Sequence, residues 1–371
     1  MVEQVKGNVT AVLLLLCLVP CIVHADEVQV TGATGGRTAQ DDSEYHPGFL
    51  SGAASIFPGV LVRGSGHYVA GDKDTAWDLF CIGTASLGVL AGTALYYAHS
   101  GASSRLSWPM VPVIAASGSG FALSWLADLY GSTVGMNRSH AGPYRGGGLR
   151  VRPFLGMVVV DDVQFEYSRF LHYGLEARYG AFSVTPMAWN ALDDTNNRYL
   201  IETEIELVGV NGLVKKFESP VLSASPLFRY GYHDFEDDGF NKRWIDLCAV
   251  STITLGSIWN SMRGAWIHYE IGYNREWVTF PVIPGDPVLT TDQLLFEMGF
   301  GVDIGRLSAP FGEVYVYYNH RRDDFTGGIT GGFAGYVGVK TELRLRDRMS
   351  LKLGYSYGYA AVVDIQCAVR F

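Results

Sequence analysis

The residues best suited to chemistry stand in one short run near the carboxyl end of the chain. His320 is followed within four residues by the carboxylates of Asp323 and Asp324. A histidine with nearby carboxylates can act as a general base, so these three are the candidate catalytic residues of a hydrolase. We favour a charged strand end without catalysis, because no second group of catalytic residues can be placed beside the run from the sequence.

A glycine-rich run from Arg63 to Asp72 is the second pattern that could bind a ligand. Gly66 and Gly71 have the spacing of a nucleotide-binding loop, but Asp72 occupies the position that needs lysine. No strand-like segment precedes the run, so we reject nucleotide binding. His67 could bind a proton or a ligand; we favour a tight glycine turn in which His67 is a polar packing residue.

Composition and cysteine usage exclude several functional classes. The chain has 37 acidic and 28 basic residues, a net charge of −9, which argues against a general nucleic-acid binder. Two of its five cysteines, Cys17 and Cys21, lie in or beside the amino-terminal apolar run, which leaves Cys81, Cys248 and Cys367 far apart. That spacing indicates neither a disulfide framework nor a zinc site, and we predict no cofactor and no metal.

The elements that must position these residues have a two-residue period. Apolar side chains alternate with charged or small ones over 337–346, 351–358 and 363–371. In the first of these runs the polar members are Lys340, Glu342, Arg344 and Arg346. Because successive side chains of a strand point to opposite faces, each run has one apolar face and one polar face.

The last run alternates up to an aromatic final residue. Its apolar members are Val363, Ile365, Cys367, Val369 and Phe371. This run resembles the carboxyl-terminal signature of bacterial outer-membrane β-barrels. The resemblance implies a membrane all-β fold, an antiparallel transmembrane β-barrel with lipid outside and a polar interior. It also implies that Val369 and Phe371 form the signal that the barrel-assembly machinery recognises.

The same resemblance implies partners at the membrane surface. These are outer-membrane lipids and lipopolysaccharide. The run that contains His320 then becomes a charged barrel rim, where Arg321 and Arg322 can meet lipopolysaccharide phosphates.

Strand-like runs follow one another from residue 149 to residue 371. They cover 149–160, 173–186, 197–210, 221–234, 243–259, 263–277, 292–304, 312–322, 331–346 and 350–371. The short turns between strands lie at one end of such a barrel. For the turn at 346–350 to lie there, 350–371 must be two strands that turn near 358–361. An even total then needs one more strand within 161–171. This arithmetic predicts twelve strands, and about ten if both divisions are wrong.

Strand parity predicts which charged residues face the barrel interior. They are Glu202, Glu204, Glu206, His268, Glu270, Lys340, Glu342, Arg344 and Arg346, with Arg150, Arg152, Asp364 and Arg370 in addition. Charges of both signs need water or a partner there. A barrel of ten to twelve strands lies between the filled eight-stranded and the open sixteen-stranded kinds. A narrow wet passage and a plugged, salt-bridged core both remain open.

The first 148 residues are organised differently. Residues 1–25 have the features of a cleaved signal peptide, with Lys6 before an apolar core, and 26–47 form a disordered linker rich in small and acidic residues. Residues 48–140 predict a small apolar helical module that contains a helical hairpin. The barrel is formed by 149–371, and we favour a hairpin packed against it or inside it. The alternative is a hairpin in the inner membrane.

The sequence therefore predicts an outer-membrane protein that is a narrow pore or small-solute passage, without enzymatic activity. The alternative is a structural or envelope-interaction barrel without transport, which the additional helical module supports. A barrel hydrolase that uses His320 with Asp323 and Asp324 is the third interpretation.

Overall fold

The computed structural model describes most of the chain beyond residue 45. The described ranges are 46–100, 104–134, 149–161, 169–192, 196–209, 211–213, 221–235, 240–279, 288–306, 309–321, 329–330, 333–346 and 348–371. The predicted signal peptide and nearly all of the predicted linker lie outside them. The chain divides into two compact units, Met1–Gly135 and Met136–Phe371.

The first unit is helical in its described part. Its helices are α1 (Phe49–Ile56), α2 (Ser65–Ala70), α3 (Lys73–Ser100) and α4 (Ser104–Val134). The glycine-rich run forms α2 and its two ends. Gly64 and Gly71, on either side of α2, have φ values of 80° and 97°, a left-handed conformation that favours glycine. The run is therefore a tight helical turn.

Helix α3 is the most apolar element of this unit. An 18-residue stretch within Lys73–His99 has a mean hydropathy of 1.7, so by length and composition this helix is long and apolar enough to cross a membrane.

The second unit is a closed antiparallel β-barrel. Its strands are β1 (Leu149–Asp161), β2 (Arg169–Tyr179), β3 (Phe182–Ala191), β4 (Asn197–Ile205), β5 (Leu222–Asp234), β6 (Asn241–Thr254), β7 (Ala265–Thr279), β8 (Val288–Arg306), β9 (Ala309–Asn319), β12 (Tyr336–Arg346), β13 (Met349–Tyr357) and β14 (Ala361–Val369). A separate two-stranded sheet, β10 (Ile329–Thr330) and β11 (Phe333–Ala334), lies between β9 and β12 in the chain. The predicted fold class is confirmed.

The barrel closes where its first strand pairs with its last. β1 and β14 are antiparallel in continuous register from Phe154 opposite Ala368 to Asp161 opposite Ala361. Beyond β14, the backbone N–H of Phe371 donates to the carbonyl of Val151 at 2.9 Å. The terminal residue is thus part of the seam.

The strand count of twelve is confirmed, but one predicted division is wrong. The run 350–371 is two strands, β13 and β14, as predicted. The run 173–186, predicted as one strand, is divided between β2, which already begins at Arg169, and β3. A two-residue turn at Gly180–Ala181 makes this division, and Gly180 has a φ of 57°. Since Tyr179 pairs directly with Phe182, the apolar face continues across the turn and hides it in the sequence.

Stacked aromatic rings line one part of the inner wall. Trp266 stacks on Tyr315 with ring centroids 5.0 Å apart, and Tyr315 stacks on Tyr317 at 5.3 Å. The rings lie over glycines of the neighbouring strand: a Cβ at Gly301 would overlap the indole of Trp266. Glycine at such positions leaves room for the ring that covers it.

We expect the substitution Gly301→Ala to destabilise the barrel by about 1–3 kcal/mol, because the added methyl displaces a ring that is itself stacked. The matched control is Gly354→Ala on β13, where a Cβ would meet its nearest neighbour at an ordinary 3.5 Å. The measurement is the urea midpoint of unfolding in detergent. Equal midpoints for the two variants would contradict this account of the aromatic stack.

Candidate functional site: the charged interior of the barrel

The two faces of the barrel wall have opposite character. Large apolar side chains are exposed at alternate positions of the strands, among them Leu155, Met157, Leu171, Tyr173, Leu175, Phe182, Val184, Tyr199, Ile201, Phe228, Tyr230, Leu247, Tyr273, Val316, Val337, Val339, Leu353, Tyr355, Val363 and Ile365. A continuous apolar surface of this size marks contact with lipid or protein. On a closed barrel it is the outer belt that faces hydrocarbon.

Charged residues occupy the other face, and Arg229 joins two of them. On β5, Arg229 donates from Nε to Glu202 of β4 at 2.7 Å, and from Nη1 and Nη2 to Glu270 of β7 at 2.6 and 2.9 Å. The guanidinium fork thereby serves carboxylates on both sides of its own strand. The Glu270 side chain is only 7% exposed, so Arg229 supplies the partner that a buried carboxylate needs.

Contacts that pass over intervening strands show that this face is the inner one. Arg152 of β1 binds Glu342 of β12, although β14 and β13 lie between those strands. Arg321, which follows β9, binds Asp246 of β6 across β8 and β7. Neighbouring strands are about 4.8 Å apart, so only side chains that converge inside a curved wall can meet across two strands.

Two further clusters complete the paired part of the interior. Around Glu342, Lys352 lies 3.6 Å from its second carboxylate oxygen, and Arg152 donates to the hydroxyl of Ser350 at 2.6 Å. Around Asp246, the amide of Asn274 donates to the first carboxylate oxygen at 2.7 Å. Each carboxylate thus has partners from more than one strand.

The remaining predicted interior residues divide into paired and solvent-exposed ones. Glu206 binds Arg178, and the imidazole Nδ1 of His268 lies 3.2 Å from the hydroxyl of Thr252. Lys340 and Arg344 are exposed, and the ammonium of Lys340 lies 4.4 Å from the centroid of the Tyr317 ring.

Glu204 and Arg346 are two further predicted interior residues. Glu204 is half-buried and stands opposite Ser183 and Leu227 in the strand register. At Arg346 the register shifts, so that it stands opposite Met349, and its side chain lies outside the described residues. The simple alternation that placed Arg346 beside Arg344 is interrupted by this irregularity.

Sequence reasoning missed the arginines that hold the interior together. Arg229 was detectable, because it alternates with the outward-facing Phe228 and Tyr230. Arg321 was not detectable as a partner of Asp246, because it follows the last residue of a strand and reaches another strand 75 positions away.

The candidate catalytic run is only partly described. The hydroxyl of Tyr318 lies 2.7 Å from Nδ1 of His320, and the backbone N–H of His320 donates to the carbonyl of Phe296 at 2.7 Å. Asp323 and Asp324 lie outside the described residues. The hydrolase interpretation therefore stays an untested prediction. Among the residues that the structure describes, no group of three or more His, Cys, Asp and Glu side chains could hold a metal ion.

Part of the charged interior is open to solvent. Besides Lys340 and Arg344, the side chains of Lys352 and Glu176 are each 39% exposed, although both belong to the inward-facing cluster around Arg152. A filled protein core would bury such groups. The described interior therefore contains water-accessible space beside its ion pairs.

The twelve described strands form a closed barrel with an apolar outer belt and a charged interior. These are the features of a barrel that spans a membrane. The second unit is a transmembrane β-barrel.

Comparison with known proteins adds likenesses in fold but no assignment. No family model and no curated protein sequence matches the chain. Among solved structures, the translocator domain of the autotransporter NalP from Neisseria meningitidis is similar at 12% identity with a TM-score of 0.39, covering 62% of this chain and 89% of that one. The KdgM porin in complex with disordered oligogalacturonate is similar at 8% identity, with a TM-score of 0.38 and coverages of 59% and 99%. The outer membrane protein Omp33 of Acinetobacter baumannii has 10% identity, a TM-score of 0.31 and coverages of 60% and 97%. The conclusion about the fold rests on the strand register and the two faces of the wall, not on these likenesses.

We expect Arg229→Met to cost about 3 kcal/mol of stability, because it leaves Glu202 and Glu270 without their shared cation. Arg275→Met is the matched control. Arg275 also binds a carboxylate of the neighbouring strand, Asp292, at 2.8 Å, but both side chains are more than 40% exposed, so solvent screens the pair and its loss should cost far less than that of Arg229.

Urea midpoints in detergent measure the difference between these two variants. Adding Glu270→Gln to Arg229→Met should restore part of the lost stability, since it removes the stranded charge. A loss of equal size for Arg229→Met and Arg275→Met would mean that the interior is solvated like the outer rim.

Proposed function

We propose that the barrel is a narrow, water-filled passage for small hydrophilic solutes. The observation that carries this proposal is the solvent exposure of charged side chains on the inner face, Lys340 and Arg344 above all. An ionised group without water or a partner costs several kcal/mol inside a protein, so the space beside these residues is wet. Twelve strands make a barrel intermediate between a filled core and an open channel.

The distribution of charge around the ring supports a passage with little preference for the sign of the solute. β4 and β12 are six steps apart in either direction around the barrel, so they face each other across the interior. β4 has three glutamates, Glu202 and Glu204 within the strand and Glu206 just after it, of which Glu202 and Glu206 are paired with arginines. β12 has the exposed cations Lys340 and Arg344, with Glu342 between them. Opposed walls of opposite sign produce a transverse field, in which small ions and hydrated solutes of either sign find a favourable side.

A barrel without transport is the second candidate function. Ion pairs that pass over intervening strands, those of Arg152 and Arg321, occupy interior volume and tie distant strands together. If such ion pairs fill the cross-section of the barrel, no solute can pass, and the barrel serves as a structural or envelope-interaction element.

Two partners belong to this proposal. Lipopolysaccharide phosphates would be contacted by Arg322 alone, because Arg321, also predicted at the rim, is only 6% exposed and binds Asp246 in the interior. The barrel-assembly machinery would recognise the strand that ends at Val369 and Phe371; the side chain of Phe371 is 73% exposed.

Conductance in planar lipid bilayers tests the passage directly. We expect the purified mature chain to form a small, steady conductance with weak ion selectivity. The double substitution Lys340→Glu and Arg344→Glu removes the cationic side of the transverse field, and should shift the reversal potential in a salt gradient towards cation selectivity. Arg348→Glu is the control, since it replaces a cation by an anion at an exposed turn, with half the charge change of the double substitution.

The outcome separates the two candidate functions. A folded parent and a folded double variant that both fail to conduct would end the passage and favour the structural role. A conducting parent whose selectivity responds equally to Arg348→Glu and to the double substitution would place the selective field at the barrel mouth, not at β12.

A further inference from the structure

The helical unit has polar side chains inside and apolar side chains outside. Ser55, His67 and Asp128 have no exposed surface, and Arg63 is 4% exposed. Many large apolar side chains of the same unit are strongly exposed: Phe49, Leu50, Phe57, Leu61, Tyr68, Trp77 and Leu95 are all more than 60% exposed. A water-soluble domain has the reverse arrangement, in which polar groups of this kind meet solvent.

The buried carboxylate of this unit has all its partners nearby. Asp128 of α4 accepts hydrogen bonds from the backbone N–H groups of Gly66 and His67, at 3.2 and 3.0 Å, and from Nδ1 of His67 at 2.8 Å. Three donors from one turn therefore compensate a charge that has no contact with solvent.

The buried cation is compensated in the same way. Arg63 donates from Nη1 to the carbonyl of Gly59 at 2.7 Å and from Nε to the carbonyl of Phe121 at 3.1 Å, and its guanidinium lies 3.9 Å from the Phe121 ring centroid. Smaller polar groups are also paired within the unit. The hydroxyl of Ser51 donates to the carbonyl of Ser132 at 2.7 Å, and the indole N–H of Trp125 donates to the carbonyl of Ser55 at 2.9 Å. Internal pairing of polar groups is what hydrocarbon surroundings require.

The apolar surface of α3 extends around most of the helix. Its exposed large residues are Trp77, Ile82, Leu87, Val89, Leu95 and Tyr96, which at about 100° per residue cover more than half of the circumference. A groove on a partner protein would cover one stripe, whereas lipid covers every side.

The charges of α3 stand where a bilayer would place them. The stretch from Leu79 to Ala98 has no charged residue, and at 1.5 Å per residue it spans about 30 Å, the thickness of a hydrocarbon core. Lys73, Asp74 and Asp78 precede this stretch, and His99 follows it.

We propose that the helical unit is embedded in the hydrocarbon region of a lipid bilayer, around a polar interior formed by Arg63, His67 and Asp128. Acyl chains cover the exposed faces of α1 and α3. The proposal is independent of whether the barrel conducts, because it concerns the surface of the other unit.

Cys81 is a natural reporter for this surface, because it is exposed on α3. The mature chain with Cys367→Ala retains one other thiol, Cys248, which is buried in the barrel. A nitroxide attached to Cys81 in the full mature chain, reconstituted into phosphatidylethanolamine–phosphatidylglycerol vesicles, reports collisions with oxygen, which concentrates in hydrocarbon, and with a water-soluble nickel chelate. A chain with Cys81→Ala as well should take up no label.

Two labelled barrel positions calibrate the measurement in the Cys81→Ala, Cys367→Ala background. Leu353→Cys lies on the apolar outer belt, and Arg348→Cys lies at an exposed turn. We expect the oxygen-to-nickel collision ratio at Cys81 to equal that at Leu353→Cys and to be well above that at Arg348→Cys. A ratio equal to that at Arg348→Cys would place α3 in water, and an immobilised label shielded from both reagents would show a protein surface over α3; either result overturns the proposal.

Discussion

The rest of the barrel depends on one constraint, the need to pair every backbone N–H and C=O without water. In hydrocarbon an unpaired strand edge costs several kcal/mol for each exposed group, so a sheet must close on itself. The continuous pairing of β1 with β14 meets this requirement, and the backbone of Phe371 extends it to Val151. Closure then separates the side chains into an outer set that meets lipid and an inner set that does not.

That separation brings charges of both signs together in a confined interior. Arginine suits this place because its planar fork can bind two carboxylates at once, as Arg229 does with Glu202 and Glu270. The wall is consequently reinforced by contacts between strands that are not neighbours, while Lys340 and Arg344 remain in contact with solvent. In the helical unit, Asp128 and Arg63 are likewise buried and hydrogen-bonded, with partners on segments that are distant in the chain.

Most of the barrel can be predicted from the sequence, because a two-residue period is a local pattern that does not depend on distant contacts. Strand number, the seam strand and the inner position of the β4 and β12 charges follow from local alternation and turn spacing. The Gly180 turn was invisible because Tyr179 and Phe182 are both apolar and keep the outer belt continuous. The pairing of Arg321 with Asp246 could not be predicted, since it depends on the curvature that brings four strands together.

The position of the seam also determines when the barrel can exist during the life of the chain. Its two edges belong to β1 and β14, the first and last barrel strands in chain order, and the backbone of Phe371 extends their pairing. The sheet has free edges until these strands meet, so closure depends on the strand contact with the longest sequence separation in the barrel. Until they meet, the two edge strands have unpaired backbone N–H and C=O groups, which are a surface for pairing with other chains.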